Sequence, residues 1–345
     1  MDMMTRLSAA PTDHPPVAHG KIGVLLVNLG TPEALTKEAV RVYLAEFLSD
    51  RRVVDYPAII WQPVLRGIIL NTRPAKTCAA YAKIWDQETN ESPLRRYTRE
   101  QSDKLAERLS GDIIVDWAMR YGVPSISDRL SSMQRLGCDR ILVLPLYPQY
   151  SATTTGTACD AVFDWAKVQP WQPSIRVVPP FHDDPGLIKA LAATCREHVT
   201  PDVERVILSF HGLPQRYFQA GDPYHCQCQK TARLVREELG WDSTFAPVGF
   251  QSKFGPEKWL EPSTENLVEQ AGEEGLKKIA VITPGFVSDC IETLEEVGIG
   301  LAEVFEECGG EDLIAIPCLN SDDAFIDVLE RLTHRELAGW VPSDN

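Results

Sequence analysis

The chain has 345 residues, 44% of them hydrophobic and 24% charged, with a formal net charge of −15. One hydrophobic core stops growing at about this length, so two domains are expected, and the composition is ordinary for a soluble globular protein. The negative charge argues against a nucleic-acid partner, whose phosphates it would repel, and against broad adhesion to anionic lipid.

The first stretch, MDMMTRLSAAPTDHPPVAHG (1–20), has no apolar signal core and reads as a flexible polar tail. The nine cysteines are irregularly spaced and odd in number, the pattern of reduced thiols in a cytoplasmic protein. The longest charge-free run, 141–159, carries two prolines and a Thr-rich second half, so it is no membrane span.

Short apolar runs then alternate with helical patterns, as in parallel βαβ units. The first half gives IGVLLVNLGTPE, IIVDWAMRYG, RILVLPLYPQYSATTT and SIRVVPPF. The second gives RVILSFHGLPQ, TFAPVGFQSKFG, KIAVITPGFVSDCIET and LIAIPCLN. These match one for one. Each half opens on a strand ending in Gly-x-Pro, LGTP or HGLP, and each second strand ends in an aromatic-Gly pair. The fold expected is therefore α/β, with two similar Rossmann-like domains at 21–184 and 185–345, each holding a four-stranded parallel sheet flanked by helices and related by a pseudo-twofold repeat. Ligands of such sheets sit beyond the carboxyl ends of the strands, which places the pocket between the halves.

An insertion without a counterpart, about 36–96, follows the first strand. Val40, Tyr43, Leu44, Phe47 and Leu48 fall at helical spacing. The stretch YPAIIWQPVLRGIILNTRPAKTCAAYAKIW after it is rich in large apolar side chains. Most of these are expected in the core. The alternative is a hydrophobic lip, 56–70, able to touch a membrane or an apolar ligand.

Neither GxGxxG nor GxxxxGK[ST] is present, so two common phosphate-binding signatures are missing. The start YSATTTGT could hold an anion, but simple capping by Ser151 or Thr153 is favoured. His225, Cys226 and Cys228 look like a ligand cluster. Residues two apart on a helix diverge, however, and Cys228 lines up with Ala232, Val235 and Leu239 as a buried stripe, so structural thiols are favoured.

His211 stands at a strand end, before a Gly-Leu-Pro turn that exposes it, and so is read as functional. Glu292, Glu295 and Glu296 could simply complement a helix dipole. Yet Glu292, Glu296 and Glu303 fall near one face with Gly300 between them, a path suited to a divalent cation. Asp289 adds a carboxylate at the helix start.

Together, LSFHGLP, FQSKFGPEKWL and PGFVSDCIETLEE resemble the signature segments of the ferrochelatase family, of its bacterial protoporphyrin type. The similarity runs from VLLVNLGTPE through MRYG and YPQYSATTTG to PCLN. The resemblance implies insertion of Fe2+ into protoporphyrin IX to make haem, the last step of haem biosynthesis, with iron as substrate metal and no organic cofactor. It implies His211 and Glu292 as catalytic and metal-ligating residues, with Asp289 and Glu296 on a metal path or proton relay. Porphyrin contacts would come from Leu29, Arg73, Tyr81, Ser92, Arg120, Tyr121 and Trp259. Some members hold a [2Fe-2S] cluster through a Cys in YPQYSC and a C-terminal extension. Here Ala152 takes that place and the chain ends at WVPSDN, so no such cluster is expected. The coproporphyrin branch has a Tyr where this chain has Leu29, which points to protoporphyrin. The alternatives are a coproporphyrin or cobalt chelatase, or a porphyrin carrier without catalysis. The place expected is the cytoplasm, with peripheral contact to the inner face of the membrane through the lip. Oligomeric state is not legible.

The chemistry suits these residues. A flat porphyrin hides its nitrogen lone pairs and carries two N–H protons that the metal must displace. A pocket that bends the ring binds the transition state better than the substrate. An imidazole can take a proton near neutral pH, and mixed nitrogen and oxygen ligation suits ferrous iron without trapping it.

Overall fold

β1 (Lys21–Gly30) is buried along nearly all of its length, which requires cover on both faces of its sheet. The computed structural model describes residues 18–109, 111 and 113–341, so most of the expected tail 1–20 lies outside the described residues. β1 pairs in parallel with β2 (Ile113–Tyr121) and β3 (Cys138–Pro145), and β3 with β4 (Ser174–Val177), in the order β2-β1-β3-β4. The second sheet repeats that order as β6-β5-β7-β8, built from β5 (Arg205–His211), β6 (Val248–Gln251), β7 (Lys278–Ile282) and β8 (Asp312–Ala315). All eight expected strands form, and the two halves share one topology.

Alternation along β1 divides the core. Leu25 and Val27 pack with Leu130, Val162 and Trp165 from helices Ile126–Arg135 and Thr157–Lys167. Val24 and Leu26 face the opposite way, into an apolar cluster that also holds Val206, Leu208 and Phe210 of β5 and Leu329 of helix Asp323–Glu336. One continuous core thus joins the halves. Polar contacts reinforce it: buried Gln101, on helix Pro93–Arg108, donates to Ser288 Oγ at 2.9 Å and to the Asn320 carbonyl at 2.6 Å.

The insertion forms helix Lys37–Ser49, capped by Thr36, whose hydroxyl accepts from Ala39 N. Its apolar face buries Val40, Tyr43, Leu44 and Leu48 against Leu65, Leu70 and Tyr121. The core expectation fails in the next helix, Ala58–Val64, where no residue is buried. Ile59 and Ile60 on this helix are 85% and 62% exposed, and Ile68 in the following turn, Leu65–Ile69, is 59% exposed. This is the lip. No helix among the described residues is long and apolar enough to cross a membrane.

The other local readings have clear outcomes. Ser151 does cap the turn Ala152–Gly156, accepting from Thr153 N, and the Asp222 carboxylate occupies the backbone N–H of Ala152 at 2.7 Å. Cys228 is buried beside Ala232 and Val235, while Cys226 is exposed.

Candidate active site

β5 carries His211 to the carboxyl edge of its sheet, and Gly212 lets the chain turn there. A Cβ on Gly212 would lie 2.6 Å from the Gln251 carbonyl oxygen and 3.1 Å from the Trp259 ring, so only glycine fits. Nδ1 of His211 lies 2.7 Å from the carbonyl oxygen of Gly212. A carbonyl only accepts, so Nδ1 carries a proton, and in the neutral ring Nε2 presents its lone pair. No hydrogen bond reaches Nε2 among the described residues. The Phe286 ring stands 6.3 Å away, centroid to centroid.

After β7 the chain enters a π-helix, Glu292–Leu301, rather than the ordinary helix its sequence suggests. Its i→i+5 bonding widens the turn, a feature concentrated at functional sites. The end of β6 holds this segment. Gln251 accepts from Ser209 Oγ at 2.7 Å and donates to the Glu292 carbonyl at 2.8 Å. Ser252 donates to Glu296 from its backbone N and from its hydroxyl, both at 2.6 Å.

The Glu296 carboxyl is pushed above its ordinary range by burial; the Ser252 hydrogen bond and the charge of His211 oppose that, and the charge of Glu292 adds to it. His211, Glu292 and Glu296 therefore share one electrostatic neighbourhood. The first half closes on the same place. Burial raises the Tyr43 and Tyr81 hydroxyls, and the charge of Glu292 raises both further. Tyr81 lies on helix Leu70–Ile84, where Lys83 also reaches Glu295 at 2.9 Å.

Other expected site residues are placed as follows. Asp289 is held by hydrogen bonds: its oxygens accept from Thr293 Oγ1 at 2.9 Å, Asn320 Nδ2 at 2.7 Å and Cys318 N at 3.3 Å, which ties the segment before the π-helix to the loop after β8. Ser92 is buried and caps helix Pro93–Arg108, accepting from Arg95 N at 3.3 Å. Arg120 donates to Asp50 at 2.6 Å and to Thr157 Oγ1 at 2.7 Å, and Tyr121 donates to the same Asp50 at 2.9 Å. Arg120 lines a polar cavity of about 730 Å³ together with Arg41, Asp50 and Asp160, while the Tyr121 side chain is fully buried. Arg73 is exposed at the mouth, its guanidinium 5.4 Å from the Phe254 ring centroid. Leu29 packs partly buried against the cluster of Tyr43, Leu44 and Tyr121. Trp259 walls the site beside Gly212, and its buried Nε1 has no hydrogen-bond partner.

Sequence reasoning missed Tyr43, Gln251, Ser252 and Phe286. Gln251 and Ser252 end a predicted strand at the pocket edge, a signal that was there to use; Tyr43 was absorbed into an apolar helix face. Among the described residues no group of three or more His, Cys, Asp or Glu side chains is arranged to hold a metal ion, so His211, Glu292 and Glu296 do not make a ready metal cage.

The ferrochelatase family model matches residues 21–337. The chain belongs to the ferrochelatase family. It is 53% identical over 337 residues to a ferrochelatase of Rhizobium meliloti, covering 96% of this chain and 99% of that one. A ferrochelatase of Agrobacterium fabrum is 52% identical over 344 residues, covering 98% and 100%. SirB from Bacillus subtilis, solved with Fe3+, superposes with a TM-score of 0.55 at 11% identity, covering 93% of this chain and 97% of SirB, a likeness of fold alone. As a ferrochelatase-family member the protein is a metal chelatase, a lyase whose reaction is metal insertion into a porphyrin. The metal is thus a substrate and not a resident cofactor.

Proposed function

We propose that the protein inserts ferrous iron into protoporphyrin IX to form protohaem, with His211 as proton acceptor and metal ligand and Glu292 as metal ligand. The observation that carries this reading is the free Nε2 of His211 in the same field as the Glu292 and Glu296 carboxylates. A base beside an acidic pair is what metal-for-proton exchange at a tetrapyrrole requires, and a porphyrin carrier needs neither. General-base catalysis of this kind contributes roughly 10²–10⁴-fold.

In this reading Fe2+ arrives along Glu296 and Glu292, with Asp289 fixing the start of the path. The porphyrin lies between His211 and Leu29, walled by Trp259 and Tyr121. Arg73 at the mouth reaches a propionate by a charge-assisted hydrogen bond, with Tyr81, Ser92 and Arg120 completing the binding set. Leu29, where the coproporphyrin branch has Tyr, favours protoporphyrin. The exposed isoleucines of the lip touch the inner face of the membrane from the cytoplasm, where apolar substrate and product partition.

The test is an anaerobic assay of purified protein under reducing conditions, following the porphyrin spectrum with Fe2+ or Co2+ and with protoporphyrin or coproporphyrin. Fastest turnover with Fe2+ and protoporphyrin is expected. Preference for coproporphyrin or cobalt would replace the substrate, and porphyrin binding without insertion would make the protein a carrier.

A further inference from the structure

The last residue of β6 and the one after it grip the π-helix. Gln251 holds it by the backbone, at the carbonyl of Glu292. Ser252 holds it by a side chain, each Glu296 oxygen accepting one hydrogen bond at 2.6 Å. Ser252 reaches that double contact with φ at 62°, in the left-handed region where a side chain is disfavoured. Such a conformation persists only where its surroundings hold it, and it concentrates at functional sites. Here the partner that holds it is the part-buried carboxylate of Glu296, which feels the charges of His211 and Glu292.

A carboxylate offers about four lone-pair sites. Ser252 uses one on each oxygen, which fixes the rotation of the group and leaves the others for a cation or its bound water. Glu296 thus stands ready-oriented with no bulk solvent needed to hold it. We propose that Ser252 is a positioning residue for the divalent metal substrate: its two hydrogen bonds fix the Glu296 carboxylate on the metal path, so that the arriving cation meets an oriented oxygen ligand. The inference rests on the metal path of the proposed function and adds the residue that orients it. Partners of ligating carboxylates affect metal affinity by roughly 10–100-fold when removed.

Ser252→Gly separates positioning from mere scaffolding. Glycine adopts the left-handed conformation freely and keeps the backbone N–H, but loses the hydroxyl donor. The expected result is a melting temperature unchanged or raised, a KM for Fe2+ up by about tenfold or more, and a KM for porphyrin and a kcat at saturating iron little altered. Ser252→Ala should raise the iron KM alike while lowering the melting temperature, because it keeps the strained Cβ. Glu296→Gln runs alongside. If Glu296→Gln raises the iron KM and Ser252→Gly does not, the positioning role is wrong and the path stands. If Glu296→Gln leaves the iron KM unchanged, path and positioning fall together. A lower melting temperature in Ser252→Gly, with both substrates affected equally, would reduce Ser252 to scaffolding.

Discussion

Nδ1 of His211 donates to the carbonyl of Gly212 at 2.7 Å, and that bond decides which ring nitrogen is available for chemistry. The neutral ring must then offer Nε2, and that bond also restrains the imidazole. His211→Ala should lower iron insertion by at least about a hundredfold, the lower range for a lost general base. Porphyrin binding, measured by fluorescence quenching, should survive, because the apolar walls are untouched. Near-normal turnover in a folded variant would remove the central role given to this residue.

Glu292 has a different burden. Its backbone carbonyl is held by Gln251, so the side chain can change without releasing the segment. Glu292→Gln keeps the shape, removes the charge and should raise the KM for Fe2+ by about tenfold or more. Steady-state rates against iron concentration at fixed porphyrin are the measurement. An unchanged iron dependence would show that the metal is held elsewhere.

The fold was legible because the eight strands are eight apolar runs, and because LGTP and HGLP mark corresponding strand ends in the two halves. His211 was legible for a related reason: an imidazole closing a buried apolar strand, ahead of a Gly-Leu-Pro turn, stands where the core stops and the pocket starts. The π-helix was not. Glu292 and Glu296 share a face in either helical register, and no residue type signals the wider turn. Nor was the isolation of Ala58–Val64, since an apolar helix reads as core until its packing is known. Arg120 shows the third limit. Its partner Asp50 is remote in sequence, and a pairing across that separation leaves no local pattern.

Burial holds the Glu296 carboxyl above its ordinary range. The folded protein therefore keeps a proton there at pH values where the unfolded chain has lost it. Stability from this group is fully present below the unfolded value and is lost as pH rises through the folded one. Glu296→Gln removes that loss. The melting temperature of the variant minus that of the parent should grow as pH rises above the ordinary glutamate range, while iron use declines. A difference that shrinks toward alkaline pH would mean that the Ser252 hydrogen bonds outweigh burial. A residue that costs stability and serves the reaction is a common trade at active sites.

The lip offers the last test. Ile59 and Ile60 are the most exposed large apolar residues on helix Ala58–Val64, at 85% and 62%. Fully burying one isoleucine is worth roughly 1.5–3 kcal/mol. Placing aspartate at both positions should weaken vesicle binding by at least about two orders of magnitude, since both apolar contributions are lost and two charges are added. Folding should be unaffected, because neither side chain packs inside the protein. Turnover on detergent-dispersed porphyrin should hold as well, since His211 and Glu292 belong to the second half. Flotation with liposomes and thermal unfolding, run on the same preparations, separate these effects. If the double variant floats as the parent does, the lip is not the membrane contact, and its exposed isoleucines serve the mouth of the cleft alone.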